Sequence, residues 1–147
     1  IFEYMIDLSL IEKAQNRNLL CLKDDFVLIE MSFVSKPIGL YEIIYEIKVN
    51  GYTPILAHPE RYLFLSLKEH NRLKKFGCLF QANLLSFTNY YGSSISKNLD
   101  KLLKNQLIDF VGSDIHNTIH LMAFENKVES KNISTLKKVI ENNNQFL

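Results

Sequence analysis

The stretch Thr53-Pro54-Ile55-Leu56-Ala57-His58-Pro59-Glu60-Arg61 runs from an apolar segment straight into an imidazole, a carboxylate and a guanidinium. A short apolar run bounded by turn signals reads as a buried strand, and here the polar residues follow its C-terminal end. Before it, Leu40, Ile43, Ile44 and Ile47 give residues 38–50 a helical pattern that Asn50-Gly51 stops. Further upstream, Phe26-Val27-Leu28-Ile29-Glu30-Met31 is a second buried strand; it follows Asp24-Asp25 and also reaches a carboxylate. Residues 3–22, with Leu8, Ile11, Ala14 and Leu19 near helical spacing, read as an opening helix. Downstream, a polar amphipathic helix over 65–76 closes at Gly77. Cys78–Asn83 then reads as a strand, 94–106 as a helix, Ile108–Gly112 as a strand and 134–143 as a final helix. Strand and helix alternate with a unit of about thirty residues, which predicts an α/β fold with parallel strands. No Pro/Gly-rich linker divides the chain, so a single domain is expected.

Composition narrows the function. The chain has 147 residues, 47% of them hydrophobic and 22% charged, so it can bury a core and is not disordered. Its formal charge of +1 argues against a nucleic-acid binder. No run of 18 apolar residues occurs, so no membrane insertion by a helix is expected. Cys21 and Cys78 are too few and too far apart for a disulfide framework; they read as buried thiols of a cytoplasmic protein. The first residue is Ile1, with no secretory signal, so the N-terminus is expected to be a cut end. Lysine outnumbers arginine 14 to 3, so Arg17, Arg61 and Arg72 stand out, because only arginine offers a planar fork to an oxyanion.

Every predicted strand leads into residues able to bind a metal or a phosphate: Glu30 after the first, His58, Glu60 and Arg61 after the second, Gln81 and Asn83 in the third, and Ser113, Asp114 and His116 after the fourth. In parallel α/β folds all strand C-termini share one face, where active sites are built. Two carboxylates and two imidazoles suit Mn, Fe or Zn. A carboxylate can bridge two such ions, and Arg61, three positions after His58, can hold a phosphate beside them. Metal-assisted phosphoester hydrolysis is the chemistry this set supports. Each residue also has an ordinary reading. Glu30 can be a solvated loop residue, His58 a loop histidine bonded to backbone, and Asp114 a helix N-cap. His70 in its charged helix reads as exposed, and the lysines of 97–104 as a solvated face. Tyr90-Tyr91-Gly92 reads as turn and packing, or as the edge of a pocket.

Gly51–Tyr62 (GYTPILAHPERY) closely resembles a signature of bacterial capsule-type, metal-dependent tyrosine phosphatases of the PHP (polymerase and histidinol phosphatase) superfamily. Gln81–Ser86 with Tyr91-Gly92, Phe110–Asn117 and Val27–Glu30 are similar to further blocks of that family, in its order and spacing, over about residues 3–125. The resemblance implies the C-terminal portion of a distorted, TIM-like β/α barrel with parallel strands. It implies two or three Mn ions, with Fe or Zn as alternatives, bound by Glu30, His58, Asp114 and His116. It implies a phosphate held by Arg61, with Asn83 also on the substrate side, and in-line attack on phosphorus by a water that the metals activate. The expected substrate is the phosphotyrosine-bearing C-terminal tail of a bacterial tyrosine kinase that controls capsule or exopolysaccharide biosynthesis.

Two departures from the family pattern stand in the sequence. A second phosphate-binding Arg of many members is Leu121 here, preceded by His120, which becomes the candidate phosphate contact. The family's opening His-x-His pair is absent: the first histidine is His58. Residues 1–147 are therefore expected to be one partial PHP domain, resembling the last three-fifths of such an enzyme, with open strand edges that allow an oligomer. Two other functions remain open from the residues: another PHP-type small-molecule phosphoesterase such as a histidinol phosphatase, and a non-catalytic half-domain that binds a partner.

Overall fold

A computed structural model describes residues 2–114 and 133–146. Among them are five strands, β1 (Tyr4–Met5), β2 (Phe26–Glu30), β3 (Thr53–Ala57), β4 (Leu79–Asn83) and β5 (Phe110–Gly112). The described helices are α1 (Ser9–Gln15), α2 (Leu40–Val49), α3 (Leu67–Lys75), α4 (Ser93–Lys104) and α5 (Ile133–Asn142). The strands form a parallel sheet in the order β1-β2-β3-β4-β5, so the α/β alternation read from the sequence is what the chain adopts.

The described chain comprises two compact units. The first contains residues 2–57, 64–80 and Phe146; the second contains residues 58–63, 81–114 and 133–145. In the first, Val27, Leu28 and Ile29 of β2 are buried, as are Ile55 and Leu56 of β3. Strands buried on both faces read as unbroken apolar runs, which is why these two were legible. Helix α2 turns Leu40, Ile43, Ile44 and Ile47 inward and packs on β3 and α1. In the second unit α4 buries Leu99, Leu102 and Leu103, and α5 packs on β5 and α4. Asn143 fastens the end of α5 to β5: its Oδ1 accepts from the Val111 amide at 3.2 Å and its Nδ2 donates to the Val111 carbonyl at 2.8 Å.

Three expectations are corrected. Residues 3–22 are not one helix, because Tyr4 and Ile6 are buried while Met5 between them is exposed, a period of two that makes β1 an edge strand paired to β2. Asp7 then accepts the Ser9 amide at 2.8 Å, and α1 starts only there. Cys21 is exposed; only Cys78 is buried. His70 is buried, its Nδ1 lying 3.0 Å from the Ser66 carbonyl and its ring edge-on to Phe80 at 5.7 Å. It sits one turn from the buried Leu73, so it belongs to the apolar face of α3 despite charged neighbours. The lysines of α4, by contrast, are exposed as expected.

Helix α3 starts with a capping box. Ser66 accepts from the Glu69 amide at 3.3 Å, and Glu69 accepts from the Ser66 amide at 2.9 Å. Lys36 binds the same carboxylate at 2.7 Å. The hydrogen bond from Lys36, reinforced by the Ser66 amide and hydroxyl, holds the Glu69 carboxyl at about 2, below its ordinary 4.5.

Ser66→Ala is expected to lower stability by about 1 kcal/mol, read as a shift of the urea midpoint. A carboxyl whose pKa is depressed on folding stabilises the fold above its unfolded value, and that contribution is lost as pH falls through the folded value. Wild-type stability should therefore decline between pH 4.5 and about 2, and Glu69→Gln should flatten that decline in urea titrations across this range.

Candidate active site

The sheet sends its strand-end residues to their places by register. β2 pairs with β3 so that Ile29 faces Leu56, and β1 pairs with β2 so that Met5 faces Glu30. Glu30 is thus the last residue of β2, and His58 directly follows β3. Within the first unit Glu3 and Glu30 each offer a carboxylate oxygen, and these atoms lie within 4.8 Å of one another. Two carboxylates that close form a donor pair for a divalent cation, whose charge offsets their repulsion. The sequence offers Glu30 and His58 as candidates but not Glu3, because residues 3–22 read as helix. The alternation of Tyr4, Met5 and Ile6 was the signal that would have placed Glu3 at a strand.

The backbone turns sharply at two of the candidate ligands. His58 has φ 37° and Asp114 has φ 45°, both in the left-handed region. Such values are uncommon outside glycine, though less so for His and Asp, and non-glycine residues in this region cluster at functional sites. At His58 the turn ends β3 and starts the short 3₁₀ turn Pro59–Arg61.

Within the second unit this turn builds a polar cluster. Glu60 points inward and is fully buried. Its Oε1 accepts from the Asn83 amide at 3.0 Å and from the Ser86 hydroxyl at 2.6 Å, while its main-chain carbonyl accepts from Asn98 Nδ2 at 2.9 Å. Burial pushes the Glu60 carboxyl up, and the hydrogen bond from Ser86 pulls it partly back. Glu60 is thereby a structural clasp rather than a solvent-facing ligand.

Arg61 points the other way. Its Nη1 lies 3.5 Å from Asp114 Oδ2, and its guanidinium carbon stands 4.5 Å from the centroid of the Tyr91 ring. Asn83, the last residue of β4, donates through Nδ2 to Asp114 Oδ2 at 3.0 Å and to the Tyr91 hydroxyl at 3.3 Å, while its Oδ1 accepts from the Leu85 amide at 2.9 Å. Burial raises the Tyr91 hydroxyl above its usual pKa, against the pull of Arg61. Opposite Asn83 in the β4–β5 ladder is Gly112, where an added Cβ would come within 2.7 Å of the Gln81 side chain.

Arg61, Asn83 and Asp114, assigned from sequence to this end of the strands, are therefore brought together, and Tyr91 joins them. The assigned His116 and His120 lie outside the described residues. A planar guanidinium held by one aromatic face and one carboxylate can present its fork to an oxyanion.

Three comparisons bear on this arrangement. A family model described as capsular polysaccharide synthesis, CpsB/CapC, matches residues 2–143. The chain is 34% identical over 106 residues to the tyrosine-protein phosphatase YwqE of Bacillus subtilis (strain 168), covering 69% of this chain and 41% of that protein. It is 30% identical over 117 residues to the putative tyrosine-protein phosphatase CapC of Staphylococcus aureus, covering 78% and 46%. Among solved structures it matches one described as YwqE from Bacillus subtilis and CpsB from Streptococcus pneumoniae, unique metal-dependent tyrosine phosphatases. The TM-score is 0.74 at 27% identity, over 92% of this chain and 55% of that one. The chain spans about half the length of the relatives it matches.

Glu60→Ala is expected to cost about 3 kcal/mol in urea unfolding, since it strands the buried Asn83 amide and Ser86 hydroxyl. Glu60→Gln, which keeps an acceptor, should cost clearly less.

Proposed function

The chain belongs to the CpsB/CapC family of capsular polysaccharide synthesis, and from that membership we propose that it is a metal-dependent protein-tyrosine phosphatase. The observation that carries the reading is the fork of Arg61, stacked on Tyr91 and braced by Asp114 and Asn83, in a chain that also brings Glu3 to Glu30. The descriptions of its relatives as tyrosine phosphatases, and of the matching structure as metal-dependent, support it.

Glu30, His58, Asp114 and His116 are the proposed metal ligands, with Glu3 added by its proximity to Glu30. The mixed carboxylate and imidazole set suits Mn, with Fe or Zn as alternatives. When bound, such ions supply Lewis acidity at the phosphoryl group and acidify a water. The residues supply the rest. Arg61 binds two phosphate oxygens through its fork and orients the ester. The Tyr91 ring fixes the guanidinium plane. Asn83 keeps Asp114 from rotating away, and His120 is the proposed second phosphate contact.

The proposed substrate is a phosphotyrosine-bearing C-terminal tail of a bacterial tyrosine kinase in capsule or exopolysaccharide biosynthesis, which places the protein in the cytoplasm. The exposed thiol of Cys21 suits that reducing compartment. No described helix is long and apolar enough to cross a membrane. Five parallel strands in unbroken sequential order, without the order reversal of an open doubly wound sheet, support the reading of residues 1–147 as part of a distorted β/α barrel, one partial PHP domain.

The test is release of phosphate from a phosphotyrosine peptide by the full chain with added Mn. Chelator is expected to abolish turnover, and Arg61→Ala to lower kcat/KM about 10²–10³-fold. Turnover that survives both chelation and His58→Ala would overturn the proposal. Faster turnover of histidinol phosphate than of the peptide would make it a small-molecule phosphatase.

A further inference from the structure

Arg72 is one of three arginines beside fourteen lysines, and the strand-end site does not use it. It lies on α3 in the first unit. Its guanidinium carbon is 3.9 Å from the Tyr41 ring centroid and 5.9 Å from that of Phe76. The two rings are 5.9 Å apart and inclined by 32°, so they make an aromatic floor. Lys36 Nζ stands 5.8 Å from the same Tyr41 centroid while bound to Glu69. With Tyr45 these side chains line a groove of about 590 Å³ that is open to solvent, a volume within the usual range of ligand sites.

Three features define what the groove would take. The first is charge: Arg72 lines the groove, and Lys68 and Lys75 stand one turn to either side of it on α3, whose one acid, Glu69, is taken by Lys36. Arg72 itself has no ion pair among the described residues, and stacking by its face keeps its fork oriented for a carboxylate. The second is the aromatic lining of Tyr41, Tyr45 and Phe76, which favours flat side chains by stacking. The third lies in the loop joining β2 to α2, which supplies Lys36 and Pro37 to the groove. That loop leaves Phe33, Val34 and Ile38 exposed, the last two at 87% and 93%. Exposed apolar side chains gathered in one short loop mark an interaction surface. They suit the mixed surface of a peptide better than a polyphosphate, which has no apolar part to cover them.

We propose that this groove docks an acidic peptide segment with aromatic side chains, its carboxylates on Arg72 and its rings on the Tyr41–Phe76 floor. This site shares no residue with the Arg61 cluster, and its occupancy needs no turnover.

The test is fluorescence anisotropy of the full chain with a labelled, unphosphorylated peptide of alternating Glu and Tyr at low salt. Arg72→Ala is expected to weaken binding about tenfold, the size of one charge-assisted hydrogen bond. Arg72→Lys, which keeps the charge but not the fork, should lose most of that. A Glu–Gly peptide should bind several-fold more weakly, and Arg61→Ala should bind the Glu–Tyr peptide as the wild type does. Circular dichroism melts check that the Arg72 variants fold; because Arg72 is exposed, they are expected to match the wild type.

No binding by the wild type would overturn the proposal. So would equal losses from Arg72→Ala and from Lys101→Ala on α4, which would mean general charge attraction. Loss from Arg61→Ala but not from Arg72→Ala would assign the peptide to the strand-end site. Displacement by a single-stranded oligonucleotide that binds more tightly would make the surface one for nucleic acid. Since the probe carries no phosphate, failure here leaves the phosphatase reading standing, and failure of that reading leaves the groove standing.

Discussion

The carboxyl of Glu60, removed from water, is the constraint on which the candidate site turns. A buried carboxyl must be hydrogen-bonded or neutral, or its burial is paid in stability. Here it accepts from the Asn83 amide and the Ser86 hydroxyl, and the Glu60 carbonyl accepts from Asn98. Three separate chain segments, the end of β4, the turn after it and helix α4, are thereby tied to the turn that follows β3. Arg61 is the next residue. With Glu60 anchored inward, the adjacent side chain emerges opposite, onto Tyr91 and Asp114.

This division of labour between neighbours explains why a turn so unfavourable at His58 persists. A left-handed histidine costs on the order of 1–3 kcal/mol, and the hydrogen bonds gathered by Glu60 are of the size to offset it. The same backbone geometry recurs at Asp114, so both candidate metal ligands leave their strands through bends that straight continuation of the sheet would not give. Strand register does the rest for Glu3 and Glu30, which meet because β1 and β2 run parallel.

Much of this was legible beforehand, and the reason differs residue by residue. β2 and β3 are apolar throughout because they are covered on both faces, so their ends, and hence Glu30 and His58, could be located to within a residue. β1 was not legible: two residues of strand against an edge give too short an alternation to outweigh the helical spacing that follows. His70 was read as exposed because its sequence neighbours are charged. What decides its burial is the helix face it shares with Leu73, and Phe80 against it. Glu60 was read as one more strand-end ligand, since nothing in a linear sequence says which of two adjacent polar side chains turns inward.

Hydrophobic period and position along the chain set the alternation of strand and helix, the parallel sense of the sheet, and which ligand-type residues follow the strands. The partners come from the folded chain: Tyr91 under Arg61, Asn83 on Asp114, Glu3 beside Glu30, Arg72 upon Tyr41. Each of these contacts joins residues that local periodicity does not relate, or depends on the direction in which a side chain leaves its backbone. Such contacts are set by packing and hydrogen-bond satisfaction in three dimensions, which no local pattern encodes.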